Sequence, residues 1–354
     1  MRTAKDGRAS AKEPGMLAVV TEGNGTVEVT DAPKPTVVEP DDVIVKVSAA
    51  AVCGTDLHFV RRPFLLPTLT LGHEFIGTVV ETGPQVHHVT EGQRVLSKMF
   101  VACGRCKPCR TANQPRCAEY RLFGGGILDG GQAEYVRVPR ADFTLSELDA
   151  SVSDQDALVL TDILPTAWEA LVKTGFQSGA TVGVVGSGPV GLLIAQLALA
   201  RGAAAVYLVD LDQRRLKQAE KLGAVPVPGG EGAAERVLEL TGGNGVDVAI
   251  DAVGAIPAIS TALACVALGG TVGLVGVLLD GDLPVTAQNL FGRQVTIVPV
   301  TGNPYAANDS LTTMITAGRI EPGIVIDHEA PLSAAAETYQ SFMARDFVKT
   351  MLRP

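Results

Sequence analysis

The chain has 354 residues, 29 of them basic and 38 acidic, and its formal net charge of −9 argues against nucleic acid as its main partner. With 46% hydrophobic, 19% charged and 5% aromatic residues and 39 glycines it is neither disordered nor fibrous, and the bias fits α/β architecture. At roughly 150 residues per domain, the length implies about two domains.

Residues 1–15 (MRTAKDGRASAKEPG) contain no apolar stretch and read as a disordered extension rather than a secretory signal. From Met16 to about Asp142, the runs MLAVV, TVEVT, DVIVKVSAAAV, GTVVETG and EYVRVP are separated by Pro and Gly turns. They predict the short strands of a small barrel-like β domain. After Ser153, DQDALVLTDILPTAWEALVKTG reads as helix interrupted at Pro165.

A regular alternation follows. Strands are predicted over 181–185, 205–209, 224–227, 246–252, 270–277 and 294–299, and helices over 189–200, 213–222, 232–240 and 257–268. Continuous apolar strands alternating with helices mean a six-stranded, doubly wound parallel sheet covered on both faces. The tail 301–354 returns to short elements. The expected division is therefore one domain from 16–163 with the return 301–354, and an inserted α/β domain over 164–300. The run Ala262–Leu279 has the length of a membrane span. Gly269-Gly270 in its middle, and Asp280 and Asp282 beside it without a basic flank, make it a helix followed by a strand instead.

Strand TVGVV runs directly into Gly186-Ser187-Gly188-Pro189-Val190-Gly191, which opens the apolar helix VGLLIAQLALA. In such a GxGxxG the first Gly permits the turn, the second admits a pyrophosphate to the backbone, and the third lets helix and strand pack closely. Asp210 closes the next strand, about 20 residues on, where an acid binds an adenosine ribose and repels a 2′-phosphate. The position favours NAD over NADP, although Arg214 and Arg215 lie close by.

Cys103, Cys106, Cys109 and Cys117 form C-x2-C-x2-C-x7-C, four thiolates suited to a closed, structural zinc site. An iron–sulfur cluster would use a shorter last gap followed by Pro. Crowded cysteines of this kind indicate metal ligation in a reducing, cytoplasmic setting rather than a disulfide framework. Upstream lie Cys53-Gly54-Thr55-Asp56-Leu57-His58 and Gly72-His73-Glu74, a second set of ligand types that leaves room for an open metal position. His87, His88 and His328 read as ordinary solvated residues.

Cys-Gly-x-Asp-x-His, Gly-His-Glu, the four-Cys lobe and the later GxGxxG, in this order, resemble the zinc-containing medium-chain alcohol dehydrogenase family from about Met16 to Pro354. The resemblance implies a GroES-like catalytic domain, a Rossmann coenzyme domain and an active site in the cleft between them. It implies two zincs per chain and NAD. The catalytic zinc would be held by Cys53, His73 and Asp162, the last standing where many members have Cys, with Glu74 as an exchanging ligand. Thr55 falls where a hydroxyl touches the substrate oxygen, His58 where an imidazole ends a proton relay, and Asp56 where a carboxylate holds the zinc-bound His.

Thr166 and the segment Val275–Val277 match the nicotinamide side, and Lys349 matches a basic residue reaching the pyrophosphate. Gly54 departs from the family's basic phosphate contact there, which puts more of the phosphate on Lys349 and the helix N-terminus. The implied reaction is reversible oxidation of an alcohol to an aldehyde or ketone. A homodimer or homotetramer is expected, with Leu283–Val285 as an edge strand. Phe59, Leu164 and Trp168 are candidates for an apolar substrate channel.

Four other readings compete. A zinc hydrolase would not need the dinucleotide fingerprint, and a non-catalytic zinc and nucleotide-binding redox sensor would not need competent ligand types. A zinc-free quinone reductase would lack the ligands, whereas a polyol or formaldehyde-type dehydrogenase differs only in substrate.

Overall fold

Strand Val43–Val52 (VIVKVSAAAV) is buried at eight of its ten positions and is the axis of the N-terminal half. Strands Phe75–Thr82 and Tyr135–Val138 pair with it antiparallel, and Arg94–Ser97 and Leu145–Glu147 extend the sheet beyond Phe75–Thr82. The last strand of the chain, Thr350–Arg353, also pairs with it, Met351 opposite Ala51, and His328–Pro331 lies parallel to that strand. The C-terminal return is thus hydrogen-bonded into the N-terminal sheet. Gly15–Thr21 sits between Glu28–Pro33 and Leu69–Thr70 in a separate small sheet. The computed structural model describes residues 15–62, 68–278 and 281–354, so the anticipated extension, Gly15 apart, lies outside the described residues.

The helical stretch after Ser153 breaks earlier than its proline suggests. One helix spans Asp154–Val159, capped by the Ser153 hydroxyl, and the next spans Ile163–Lys173. Pro165 lies in the first turn of the second helix, where no amide donor is needed and the ring is tolerated. The break falls on Leu160-Thr161-Asp162, with Asp162 in an irregular conformation at the cap position.

Six parallel strands follow: β1 (Thr181–Val185), β2 (Ala205–Asp210), β3 (Val225–Pro228), β4 (Val246–Asp251), β5 (Val266–Leu274) and β6 (Thr296–Pro299). Their order is β3-β2-β1-β4-β5-β6. The direction of winding reverses between β1 and β4, which opens a crevice at the carboxyl ends of those strands. β5 begins four residues sooner than the periodicity predicts. Its pairing jumps from Val246↔Val266 to Val248↔Thr271, so Ala267–Gly270 bulge out, with Gly269 at φ +73°. Leu283–Val285 is not a strand in the single chain, and no helix among the described residues is long and apolar enough to cross a membrane.

One apolar cluster joins the two halves. Ala49, Ala51, Ile76 and Leu96 of the N-terminal sheet share it with Leu158, Leu160 and Leu164 at the helix break and with Val184 and Leu193 of the α/β part. At the turn after β1, Gly186 has φ +105°, which a side chain would strain, and a Cβ on Gly191 would lie 1.8 Å from the Gly186 carbonyl oxygen. Gly191→Ala forces helix and strand apart. We expect a stability loss of about 1–3 kcal/mol by overpacking, read as a lowered urea midpoint; an unchanged midpoint would show that the turn has slack.

Candidate metal and dinucleotide sites

Three separate stretches deliver the upstream metal-ligand types to one place. Cys53 follows the end of the axial strand, His73 and Glu74 precede strand Phe75–Thr82, and Asp162 stands at the helix break. Donor atoms of Cys53, His73, Glu74 and Asp162 all lie within 4.8 Å of one another. His73 Nε2 is 3.2 Å from Asp162 Oδ2 and 3.9 Å from Glu74 Oε1, and Cys53 Sγ is 3.9 Å from Asp162 Oδ2. Tetrahedral zinc with bonds of 2.0–2.3 Å has ligand–ligand edges of about 3.3–3.8 Å, so the set fits a zinc ion with little movement.

The charge balance points the same way. Burial pushes the Cys53 thiol and the Glu74 carboxyl above their ordinary values, against the pull of Lys349. Asp56 lies beneath them, fully buried, with Oδ1 3.1 Å from His73 Nδ1. That contact directs Nε2 at the other donors. Four acidic groups around one lysine and one histidine form a donor set whose excess negative charge a dication would offset.

Lys349 corrects an expectation. Its ammonium is 1% exposed and lies 2.6 Å from Glu74 Oε2, so it is an internal counter-ion rather than a pyrophosphate contact. The Asp327 carboxylate accepts the Val348 and Lys349 amides. This fixes the backbone so that the side chain enters the interior ahead of the last strand. A cation does stand at the glycine turn: a Cβ on Gly188 would be 3.9 Å from Arg215 Nη1, and Arg215 Nη2 lies 3.5 Å from the Phe347 carbonyl. The sequence showed Arg215 only as a neighbour of Asp210; its reach to Gly188 depends on the tertiary fold.

Around that turn, Gly188 caps helix Pro189–Ala200, Gly191 is buried, and Pro189 and Val190 form its first residues. The Ser187 amide donates to Asp210 Oδ2 at 2.6 Å, and the Asp212 amide donates to Oδ1 at 2.8 Å. The carboxylate is thereby held against the turn. Val275 and the exposed Val277 continue from the carboxyl end of β5, on the crevice side of the sheet. Thr166 donates its hydroxyl to Asp162 Oδ1 at 3.1 Å and packs on Gly302.

Thr55 and His58 occupy adjacent turns at the start of helix Asp56–Arg61, and a side chain on Gly54 would meet open space. Burial, with help from Arg62 and Arg61, holds the His58 imidazole below 6.5. The channel candidates do not gather: Leu164 and Trp168 belong to the large shared core, with the Arg201 guanidinium 4.6 Å above the Trp168 ring, while Phe59 packs in another cluster. His328 is not simply solvated either, since its ring stacks on Phe347 at 3.7 Å.

In the lobe 103–117 the sulfurs of Cys103 and Cys106 approach Cys109 at 3.9 and 3.4 Å, and that of Cys106 approaches Cys117 at 3.9 Å. Backbone amides of Cys103 and Cys106 point at sulfur, and no cysteine is in a disulfide. The arrangement is a closed tetrahedral S4 set.

Family models for the alcohol dehydrogenase GroES-like domain and for zinc-binding dehydrogenase match residues 39–147 and 189–317. A Mycobacterium tuberculosis protein named "Probable zinc-binding alcohol dehydrogenase" is 38% identical over 96% of this chain and 89% of its own. The solved alcohol dehydrogenase TADH of Thermus superposes with a TM-score of 0.90 at 32% identity, over 96% of this chain and 99% of that one. A Sinorhizobium meliloti structure bound to NADP superposes at 0.85 with 30% identity, over 96% and 99%.

Replacing Lys349 by Met leaves Glu74 buried without its counter-ion. We expect a loss of about 3–5 kcal/mol in a urea titration; a loss near zero would mean that Glu74 is satisfied without Lys349.

Proposed function

Because the chain belongs to the zinc-dependent medium-chain dehydrogenase family, we propose that it reversibly oxidises a small alcohol to an aldehyde or ketone with NAD as hydride acceptor. The observation that carries this reading is the convergence of Cys53, His73 and Asp162, with donor spacings suited to zinc and Glu74, tied to Lys349, beside them. A zinc ion there supplies a Lewis acid that makes a substrate hydroxyl more acidic. Cys103, Cys106, Cys109 and Cys117 hold a second, structural zinc.

The remaining work falls to the chain's own groups. Thr55 would accept the proton of the substrate hydroxyl, and His58, three residues on, whose imidazole burial, Arg62 and Arg61 hold below its ordinary value, would be the group that finally receives it. Asp56 keeps His73 in the tautomer that presents Nε2. Glu74, paired with Lys349 and 3.9 Å from His73 Nε2, stands by as an alternative donor. Thr166 orients Asp162, and closure of the cleft excludes water and holds carbinol carbon and nicotinamide in contact.

The turn Gly186–Gly191 at the crevice of β1 and β4, with Arg215 beside it, would hold the pyrophosphate of a dinucleotide, and Val275 and Val277 would hold its nicotinamide. Asp210, fixed at that turn, receives the adenosine ribose and disfavours a 2′-phosphate. Exposed Leu283, Leu290 and Phe291 support assembly as a homodimer or homotetramer through the coenzyme half. Six cysteines, none in a disulfide, support a reducing, cytoplasmic location.

Two measurements test the reading. Wild-type protein should carry two zincs per chain and form NADH with members of an alcohol panel, whereas Asp162→Ala should carry one and lose turnover. Equal zinc and turnover in both would transfer the third-ligand role to Glu74. Asp210→Ala should erode the preference for NAD over NADP about tenfold or more, the worth of one charge-assisted hydrogen bond; an unchanged ratio would remove Asp210 from cofactor selection.

A further inference from the structure

Asp56 is itself held from behind by groups that take no part in the chemistry above. Its Oδ2 accepts from the Cys53 amide at 3.0 Å and from Gln132 Nε2 at 3.2 Å, while Gln132 Nε2 also donates to the Ala51 carbonyl at 2.9 Å. Both amide hydrogens of Gln132 are thus committed to groups that only accept. This leaves Oε1 turned toward Tyr339, whose hydroxyl lies 2.9 Å from it and 3.2 Å from Asp56 Oδ2. Gln132 and Tyr339 are both 0% exposed. Burial, with Asp56 adding to it, pushes the tyrosine hydroxyl well above 10, so it remains a donor.

We propose that Gln132 and Tyr339 are positioning residues for His73, fixing through Asp56 the direction in which the imidazole presents Nε2 to the metal. The inference rests on the reading of Cys53, His73 and Asp162 as a zinc site. Its physical content is that a buried carboxylate keeps one orientation only while each oxygen has fixed donors. Oδ2 is anchored by Cys53 and Gln132, Gln132 is anchored by Tyr339, and Oδ1 is left for His73 alone. Removing the tyrosine hydroxyl, whose single hydrogen serves Gln132 Oε1 at the shorter distance, strands that oxygen and frees the amide to turn away from Asp56. Tyr339 sits on helix Ala335–Met343, 283 residues from Asp56. The metal site is therefore completed only when the C-terminal return has docked.

The test compares zinc-loaded wild type, Tyr339→Phe, Gln132→Leu and the double variant. Zinc release to a chelator is followed for both metal sites, and cobalt(II) is exchanged into the Cys53 site for its absorption spectrum. Loss of an outer partner of a metal-binding His typically costs 10- to 100-fold in metal affinity or activity. Tyr339→Phe should therefore lose zinc from the Cys53 site about tenfold faster or more, with a shifted cobalt band, while the four-Cys zinc and the melting temperature stay close to wild type. The double variant should be no worse than the more severe single one, because both act through one carboxylate. Unchanged zinc release and cobalt spectrum in both single variants would overturn the proposal. So would equal loss from both metal sites with a lowered melting temperature, since that marks packing alone. Should Tyr339→Phe fail to fold, Gln132→Leu decides by the same criteria. Wild-type protein with zinc only at the four-Cys site would overturn the underlying reading, whereas zinc at both sites and indifferent variants would overturn this inference alone.

Discussion

Cys53, Asp56, Glu74 and Asp162 place four acidic groups in one poorly solvated volume, against one lysine and one histidine. Burying so much like charge is unfavourable unless each group is paired or hydrogen-bonded, and much of the surrounding structure answers that demand. Lys349 reaches in from the end of the chain to Glu74 at 2.6 Å, Thr166 holds one oxygen of Asp162, and Gln132 and the Cys53 amide hold one oxygen of Asp56. The partners come from segments far apart in sequence. The N-terminal sheet therefore cannot complete this volume until residues 328–353 have added their strands to it.

The helix break at Leu160–Asp162 is where this electrostatic demand meets the packing of the two halves. Leu158, Leu160 and Leu164 enter the apolar cluster shared by the N-terminal sheet and the α/β part, while Asp162, between them, turns the other way to His73. A continuous helix through Asp162 would give it regular helical backbone angles in place of the irregular ones that it adopts. The same short stretch thus fixes the spacing of the metal donors and the seat of the coenzyme half. Thr166, one turn further on, touches both Asp162 and Gly302, where the chain leaves the six-stranded sheet. The junction of the two halves and the candidate metal donors are in this way mechanically adjacent.

Much of this was legible in the sequence because it is local. The apolar runs of the six parallel strands, the turn Gly186–Gly191 and the spacing of Cys103–Cys117 each specify their structure within one or two elements. Short strands such as Arg94–Ser97 and Leu145–Glu147 carried no such signal, since four or three residues acquire strand character only from their neighbours in the sheet. The helix break was misplaced because Pro165 is the louder residue, yet a proline in a first turn costs nothing and the discontinuity is set by tertiary packing around Asp162. Lys349 was misdirected for a similar reason. A lysine before a terminal strand reads as a surface cation, and only the placement of Glu74 beneath that strand shows it to be an interior one.

The two cysteine-containing sites show how one ligand chemistry serves two ends. In the lobe 103–117 the four donors lie within fifteen consecutive positions, with amides of the same loop directed at sulfur, so the site needs little beyond its own segment. The Cys53 site draws its donors from residues 53 to 162, its counter-ion from residue 349 and its outer hydrogen bonds from residues 132 and 339. A locally closed site can stabilise a loop whatever the rest of the protein does. A site assembled from the whole chain is sensitive to how the halves sit against each other, and that sensitivity ties its geometry to completion of the fold.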